Sequence, residues 1–452
     1  MNKIVYVVHN IDTEGPLNET INATFKRLKS TFNINLKPTL NNLKKLQKKE
    51  IFLNGLEKPV ANFVSEKRLN FLKNWSDLKK NINIITEDKF RNKLPDSFGN
   101  PWIFNWFCMD HVGFNKNNPR QRAMGDHKIY DFYFNLLKEK KACSKDIIQW
   151  HYHPLAIKND LNRTGNTYLN SNNIYNILSK KIIDRNFFPS TFRPGFHTER
   201  PDSHWFLEQW IPFDYGNQSS ILNKDKDQSD LANGRSGNWQ NAPLEWLPYN
   251  PDFYDYKKRG SCKRYIARCL NIDARIRSIQ KHDIEQAFKE AKIRGHSLLS
   301  FTNHDYRDMR AELEDLWKKI ILVSGKFKNV KFKYVNAIDG MRNNIKNFKS
   351  SIPVNLKCRI SYKNTHCKLT VSSSKSIHGT QPYLAIKDKK NNYFWNNFDF
   401  INDYKWSFTF DENNIEIDDV KAIGIAANSC FGKTEIINYK LDINKKFKYV
   451  LN

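Results

Sequence analysis

The chain has 452 residues, 39% of them hydrophobic and 13% aromatic, and carries a formal net charge of +27. That length exceeds one small core and fits two to three domains; a mean hydropathy of −0.70, with no apolar run near the ~20 residues of a spanning helix, speaks against a membrane protein. The charge is spread as lysine along the whole sequence with no block of five consecutive basic residues, a drift of composition rather than a nucleic-acid-binding patch.

Residues 3–9 form a short apolar run and read as a buried first strand, the usual state in a parallel sheet, rather than as a signal peptide. Helical patterns follow at 18–32, 38–49 and 61–80. The apolar stretch 102–109 ends at Asp110-His111. A helix near 127–140 leads to a strand at 147–150 that runs into His151. A helix near 172–185 leads to 190–193, and a helix near 202–210 to 212–215. Residues 216–280 read as irregular. A helix at 282–294 precedes the strand 297–301, and a helix at 307–324 precedes 330–334. Strands alternating with helices imply an α/β class, an incomplete or distorted (β/α) barrel over residues 1–348.

Beyond residue 350 the alternation stops. Short β-rich segments at 367–371, 406–410 and 422–426, separated by polar turns, imply a small all-β sandwich over residues 349–452. The seven cysteines have no Cys-X-X-Cys spacing, which implies reduced, mostly buried thiols and fits a cytoplasmic setting.

The polar residues gather just after strands, where a parallel barrel assembles its sites. Asp12 and Glu14 follow the first strand, and two carboxylates at i and i+2 can divide the roles of base and metal ligand; a helix cap and turn is the structural alternative. His151 and His153, two apart on an extended segment, project to one side and can share one ion. Arg193 in Arg193-Pro194-Gly195 can hold a catalytic carboxylate or form a structural ion pair, and the residue alone leaves both open. His304 at a late strand end suits a general acid, while Asp305 beside it suits a helix cap. Asp110 and His111, at another strand end, are candidate substrate contacts together with Asp305.

Taken in order, these segments resemble the polysaccharide deacetylases, metal-dependent carbohydrate esterases with an incomplete (β/α) barrel. Asn10-Ile11-Asp12-Thr13-Glu14-Gly15 is similar to their Thr-Phe-Asp-Asp-Gly motif with one extra residue. His151-Tyr152-His153-Pro154 resembles their His-Ser/Thr-X-X-His metal motif, two residues shorter. Phe192-Arg193-Pro194-Gly195 resembles their arginine motif, and Phe301-Thr302-Asn303-His304-Asp305 their Leu-X-His-Asp motif. The resemblance spans about residues 1–345.

It implies Glu14, His151 and His153 as ligands of a divalent metal, with zinc expected, Glu14 standing where the family has aspartate. It also implies Asp12 as base, His304 as acid and Arg193 as the residue that holds Asp12 or the substrate. The substrate would be an acetylated sugar or polysaccharide precursor in surface-polysaccharide biosynthesis, with no specific nucleic acid as partner. An amidohydrolase-type metal hydrolase and a catalytically silent carbohydrate-binding protein are the alternatives; metal content and product analysis separate them.

Overall fold

The computed structural model describes residues 3–111, 127–154, 168, 172–220, 237–273, 278–345, 353–363, 366–441 and 447–449. Nine strands build the first sheet: β1 (Lys3–Thr13), β2 (Phe104–His111), β3 (Ile147–His153), β4 (Thr191–Pro194), β5 (Phe213–Asn217), β6 (Tyr265–Arg268), β7 (Leu270–Asn271), β8 (His296–His304) and β9 (Val330–Tyr334). All their pairings are parallel. Eight lie on the path β6-β5-β4-β3-β2-β1-β8-β7, and β9 pairs with β1 beside it. The two ends of that path, β6 and β7, are separated in sequence only by Cys269. One segment therefore pairs with β5 on one side and β8 on the other, which leaves the barrel nearly closed.

The strand β1 is the hub. Its first half pairs with β9 through Lys3–Val7, its second half with β2 through His9–Thr13, and its other edge with β8 from Ile4 to Asp12. Val5, Val7, Val8 and Ile11 are buried, as a strand covered on both faces requires. No helix among the described residues is long and apolar enough to cross a membrane.

Two expectations are corrected. The single helix at 61–80 is three pieces, Glu57–Phe63, Glu66–Leu69 and Trp75–Thr86. The last is started afresh by Asn74, whose side chain accepts from Asp77 N at 2.9 Å. Residues 216–280 are not wholly irregular, since they contain β6 and β7, which close the barrel. Arg264 and Arg268 disguise that strand, because both are buried and paired, Arg264 with Glu199 and Asp214 and Arg268 with Asp283, each at 2.7 Å.

The C-terminal strands are β10 (Lys357–Lys363), β11 (His366–Ser372), β12 (Tyr383–Asp388), β13 (Tyr393–Asn396), β14 (Asp399–Asn402), β15 (Lys405–Phe410), β16 (Val420–Asn428), β17 (Thr434–Leu441) and β18 (Phe447–Tyr449). They form two antiparallel sheets, β10-β11-β15-β14 and β13-β12-β16-β17-β18. Leu369, Val371, Trp406 and Phe408 of the first meet Leu384, Ile386, Ile423 and Ile425 of the second in one core. The expected boundary at 348/349 lies outside the described residues.

The second sheet also turns an apolar face to the barrel. Tyr383, Ala385 and Ala426 share a cluster with Ile177, Leu178 and Ile182 of the helix Asn173–Arg185 and with Trp210. Asn428 Nδ2 donates to the carbonyls of Pro189 and Trp210 at 2.8 and 2.9 Å, so buried polar groups are paired across the seam. A side chain at Gly424 would strike Ile182, its Cβ falling 2.6 Å from Cγ2, so only glycine allows this approach.

Candidate metal centre and active site

The parallel register collects the site at the carboxyl ends of β1, β3, β4 and β8. Asp12 lies level with His304 across β1 and β8, and His151 level with Arg193 across β3 and β4. On β3, strand alternation turns His151 and His153 to one side. Tyr152 between them packs instead with Trp150 and Tyr168 in the apolar cluster.

Glu14, His151 and His153 are all buried, and one donor atom from each lies within 4.8 Å of the others. Glu14 Oε1 is 3.8, 3.7 and 3.7 Å from Nε2 of His151, His153 and His304 respectively. The Nε2 atoms of His151 and His153 are 2.9 Å apart. Nδ1 of His151 faces the carbonyl oxygen of Arg193 at 2.9 Å. A carbonyl can only accept, so Nδ1 carries the proton and Nε2 presents its lone pair to the cluster. Burial pushes the His151 pKa down to about 3 against the pull of Asp12, which keeps the ring neutral and able to ligate. Two imidazoles and one carboxylate on converging strands are a donor set that can hold a divalent metal.

Asp12 is held differently. Arg193 donates to both its oxygens, Nε to Oδ1 at 2.6 Å and Nη2 to Oδ2 at 3.0 Å. Burial would raise the Asp12 pKa, but the charge of Arg193 and its hydrogen bonds reverse this and hold the carboxyl well below the usual carboxylate range. Arg193 is itself fully buried and donates to the Tyr215 carbonyl at 2.6 Å.

His304 is the most open member, with its side chain 26% exposed, its Nε2 4.0 Å from Asp12 Oδ2 and its ring against Tyr306 at 4.9 Å.

The turn after β4 is shaped around His153. A Cβ on Gly195 would lie 2.6 Å from His153 Cγ, so the ring's position requires glycine there. Phe196 and His197 both sit at φ 53°, in the left-handed region, and the Phe196 ring meets His153 edge-on at 4.8 Å. Strain of that kind persists where the surroundings over-determine the backbone.

The expected substrate contacts fare differently. Asp110 is buried, its Oδ2 accepting from Trp150 Nε1 at 2.8 Å and pairing with Lys181 Nζ at 2.9 Å. Asp305 is fully buried, and its oxygens accept from the amides of Glu14 at 2.8 Å and Gly15 at 2.9 Å and from the Tyr133 hydroxyl at 2.8 Å. It positions the Glu14 turn. The backbone of His111 ends β2, and its side chain lies outside the described residues.

Sequence reasoning missed Tyr133, Phe196, His197 and Cys269. His197, four residues beyond Arg193 and 3.3 Å from its Nη2, carried a signal in its proximity to Arg193-Pro194-Gly195. Cys269, 3.1 Å from Arg193 Nη1, carried none. No family model matches the chain, and no curated protein and no solved structure matches it.

Proposed function

We propose that this protein is a metal-dependent hydrolase that removes an acetyl group from a sugar nitrogen or oxygen. One observation carries the reading: two carboxylates of different character meet two histidines in one buried cluster. Asp12 is locked to Arg193, and Glu14 is grouped with His151 and His153. The order of these groups along the chain, similar to that in the polysaccharide deacetylases, supports acetylated sugar as the substrate class. Seven free thiols, five of them buried, support a cytoplasmic step in polysaccharide assembly.

Glu14, His151 and His153 would hold zinc, which supplies Lewis acidity toward the acyl carbonyl oxygen. Asp12 takes a proton from the attacking water as the water oxygen bonds to the acetyl carbon. Arg193 keeps Asp12 ionised, at the cost of basicity, so proton transfer accompanies attack and does not precede it. His304, at the open side, gives a proton to the departing nitrogen or oxygen as its bond to the acetyl carbon breaks. The products are acetate and the free amine or hydroxyl.

Elemental analysis of the purified protein tests this reading. The wild type is expected to carry about one divalent ion per chain, and the His151→Ala/His153→Ala variant none while keeping its fold by circular dichroism. Equal metal content in the two proteins would refute the proposal.

A further inference from the structure

Arg307 lies in the connection between β8 and the helix Arg310–Ser324, just beyond His304. Among the described residues its side chain donates no hydrogen bond and forms no ion pair, and its Nε is buried without an acceptor. The fully buried arginines behave otherwise. Arg91, Arg193, Arg264 and Arg268 each close on a carboxylate at 2.6 or 2.7 Å. A desolvated guanidinium left unpaired costs free energy that a structural arginine recovers from a carboxylate, and in a native structure such a group calls for a reason.

The surroundings hold Arg307 in place without neutralising it. Its guanidinium carbon sits 5.7 Å from the ring centroids of both Phe71 and Tyr306, which meet edge-on. Leu72 N donates to the Tyr306 carbonyl at 2.8 Å and Leu17 N to the Leu72 carbonyl at 3.0 Å, so the segments following β1 and β8 are fastened to each other. The carboxylates that feel the Arg307 charge are engaged elsewhere. Asp273 pairs with Lys67 at 2.9 Å and Arg68 at 2.6 Å, and Glu312 accepts from Asn303 Nδ2 at 3.3 Å. A planar fork fixed by packing, and not used on a protein carboxylate, suits the two-point grip of a carboxylate or phosphate brought by a ligand.

The position is that of a substrate contact. The Tyr306 ring has the His304 ring at 4.9 Å and the Arg307 guanidinium carbon at 5.7 Å, so the charge lies one ring away from the proposed acid. Asp273 follows β7, which pairs with β8, and Phe71 precedes the Leu72 amide that binds the Tyr306 carbonyl. These groups therefore stand at the carboxyl-end rim that bears the metal cluster, where a barrel meets its substrate. His304 has to reach the leaving nitrogen or oxygen, which brings the sugar bearing that atom over this rim.

We infer that Arg307 binds a negatively charged group of the substrate, a carboxylate or phosphate borne by the acetylated sugar, and so selects acidic sugars over neutral ones. That the ligand is a sugar rests on the deacetylase reading, whereas the preference for an anion is measured by binding alone.

The experiment is ligand-observed NMR on the purified protein, which gives dissociation constants and, through the acetate methyl signal, any turnover in the same sample. The probes share one acetamido group and differ in charge: N-acetylglucosamine, its 1-phosphate, its 6-phosphate and 2-acetamido-2-deoxyglucuronic acid. The proteins are the wild type, Arg307→Met, Arg307→Lys and Lys405→Met, the last removing an exposed charge from β15. At least one anionic probe is expected to bind the wild type about tenfold or more tightly than N-acetylglucosamine, the scale of a charge-assisted hydrogen-bonded pair. Which probe it is tells phosphate from carboxylate. Arg307→Met, which keeps an apolar stem between the rings, should abolish the preference and leave affinity for the neutral sugar unchanged. Arg307→Lys, without the fork, should lower the preference severalfold, and Lys405→Met should keep it. Equal binding of all four probes to the wild type overturns the inference, as does failure of all four to bind. So does an unchanged preference in Arg307→Met, or in Arg307→Lys where the methionine variant unfolds. A preference that Lys405→Met loses as fully as Arg307→Met also overturns it, since the attraction would then belong to the net charge of the chain. An anion preference that depends on Arg307, in a protein that releases acetate from no probe, would sink the deacetylase reading and leave the anion site standing.

Discussion

The backbone carbonyl of Arg193 lies 2.9 Å from Nδ1 of His151, while the guanidinium of the same residue grips both oxygens of Asp12. One residue thus orients a proposed metal ligand through its main chain and a proposed base through its side chain. The two functions are separable by substitution, because a side-chain change leaves the carbonyl in place.

Arg193→Lys keeps the positive charge and the His151 contact but loses the planar two-point grip on Asp12. Asp12 then titrates closer to the ordinary carboxylate range, since the strongest influence holding it down is weakened. The acid limb of kcat/KM is expected to move to higher pH, with metal content unchanged. A limb that stays in place would mean that another group controls it.

Asp12→Asn and His304→Ala remove the proposed base and acid. Each is expected to lower turnover by roughly a hundredfold or more, the scale of lost general acid–base help, while elemental analysis still finds the metal. Metal loss in Asp12→Asn would make Asp12 a ligand. Full activity in His304→Ala would eliminate that residue as the acid.

The Asp305 carboxylate holds the Glu14 turn by two backbone amides and is itself held by Tyr133. Tyr133→Phe removes one buried hydrogen bond and is expected to cost about 1 kcal/mol in denaturant unfolding. Asp305→Ala frees the turn and should weaken metal affinity by about 10–100-fold, as losses of supporting partners around metal ligands do. Competition with a chelator of known affinity measures it; unaltered affinity would confine Asp305 to folding.

His9 accepts from Trp102 Nε1 at its Nδ1, 3.0 Å away, which leaves its Nε2–H to donate to Asn303 Oδ1 at 2.9 Å. A second proton would face the indole N–H, and burial pushes this histidine down to about 3. The unfolded chain takes its proton near ~6.5, so between those values the unfolded state binds more protons and stability rises with pH. This contribution is fully present above ~6.5 and is lost as pH falls toward about 3. His9→Gln, which can still accept and donate, should flatten the slope by up to about 1.4 kcal/mol per pH unit. Urea midpoints measured across that window give the answer.

A fragment ending at residue 350 would expose Ile177, Leu178, Ile182 and Trp210, which Tyr383, Ala385 and Ala426 now cover. The fragment is therefore expected to aggregate or bind a hydrophobic dye. A soluble, cooperatively melting fragment would show that the barrel folds without this contact.

Much of the site was legible because its signals are local. Alternation along β3 brings His151 and His153 to one side, and polar residues directly after apolar strands mark the carboxyl ends where Asp12, Glu14, Arg193 and His304 gather. What was not legible depends on partners distant in sequence. Asp305 reads as a helix cap until the β1–β8 pairing brings it to the Glu14 amide. Asp110 reads as a rim carboxylate until Lys181 is seen to neutralise it. The strand at 265–271 escaped because buried arginines look like surface until their carboxylates are found.

The position of β1 at the centre of the sheet has a consequence for synthesis. This strand is made before the other strands of the barrel, yet β8 and β9, which pair with it along most of its length, are among the last parts of the barrel to be made. At roughly 5–20 residues per second, the apolar strand waits on the order of tens of seconds for them. During that interval Val5, Val7, Val8 and Ile11 have no native cover from β8 or β9, so production of soluble protein in a heterologous host is expected to respond to translation speed more than to the stability of the finished barrel.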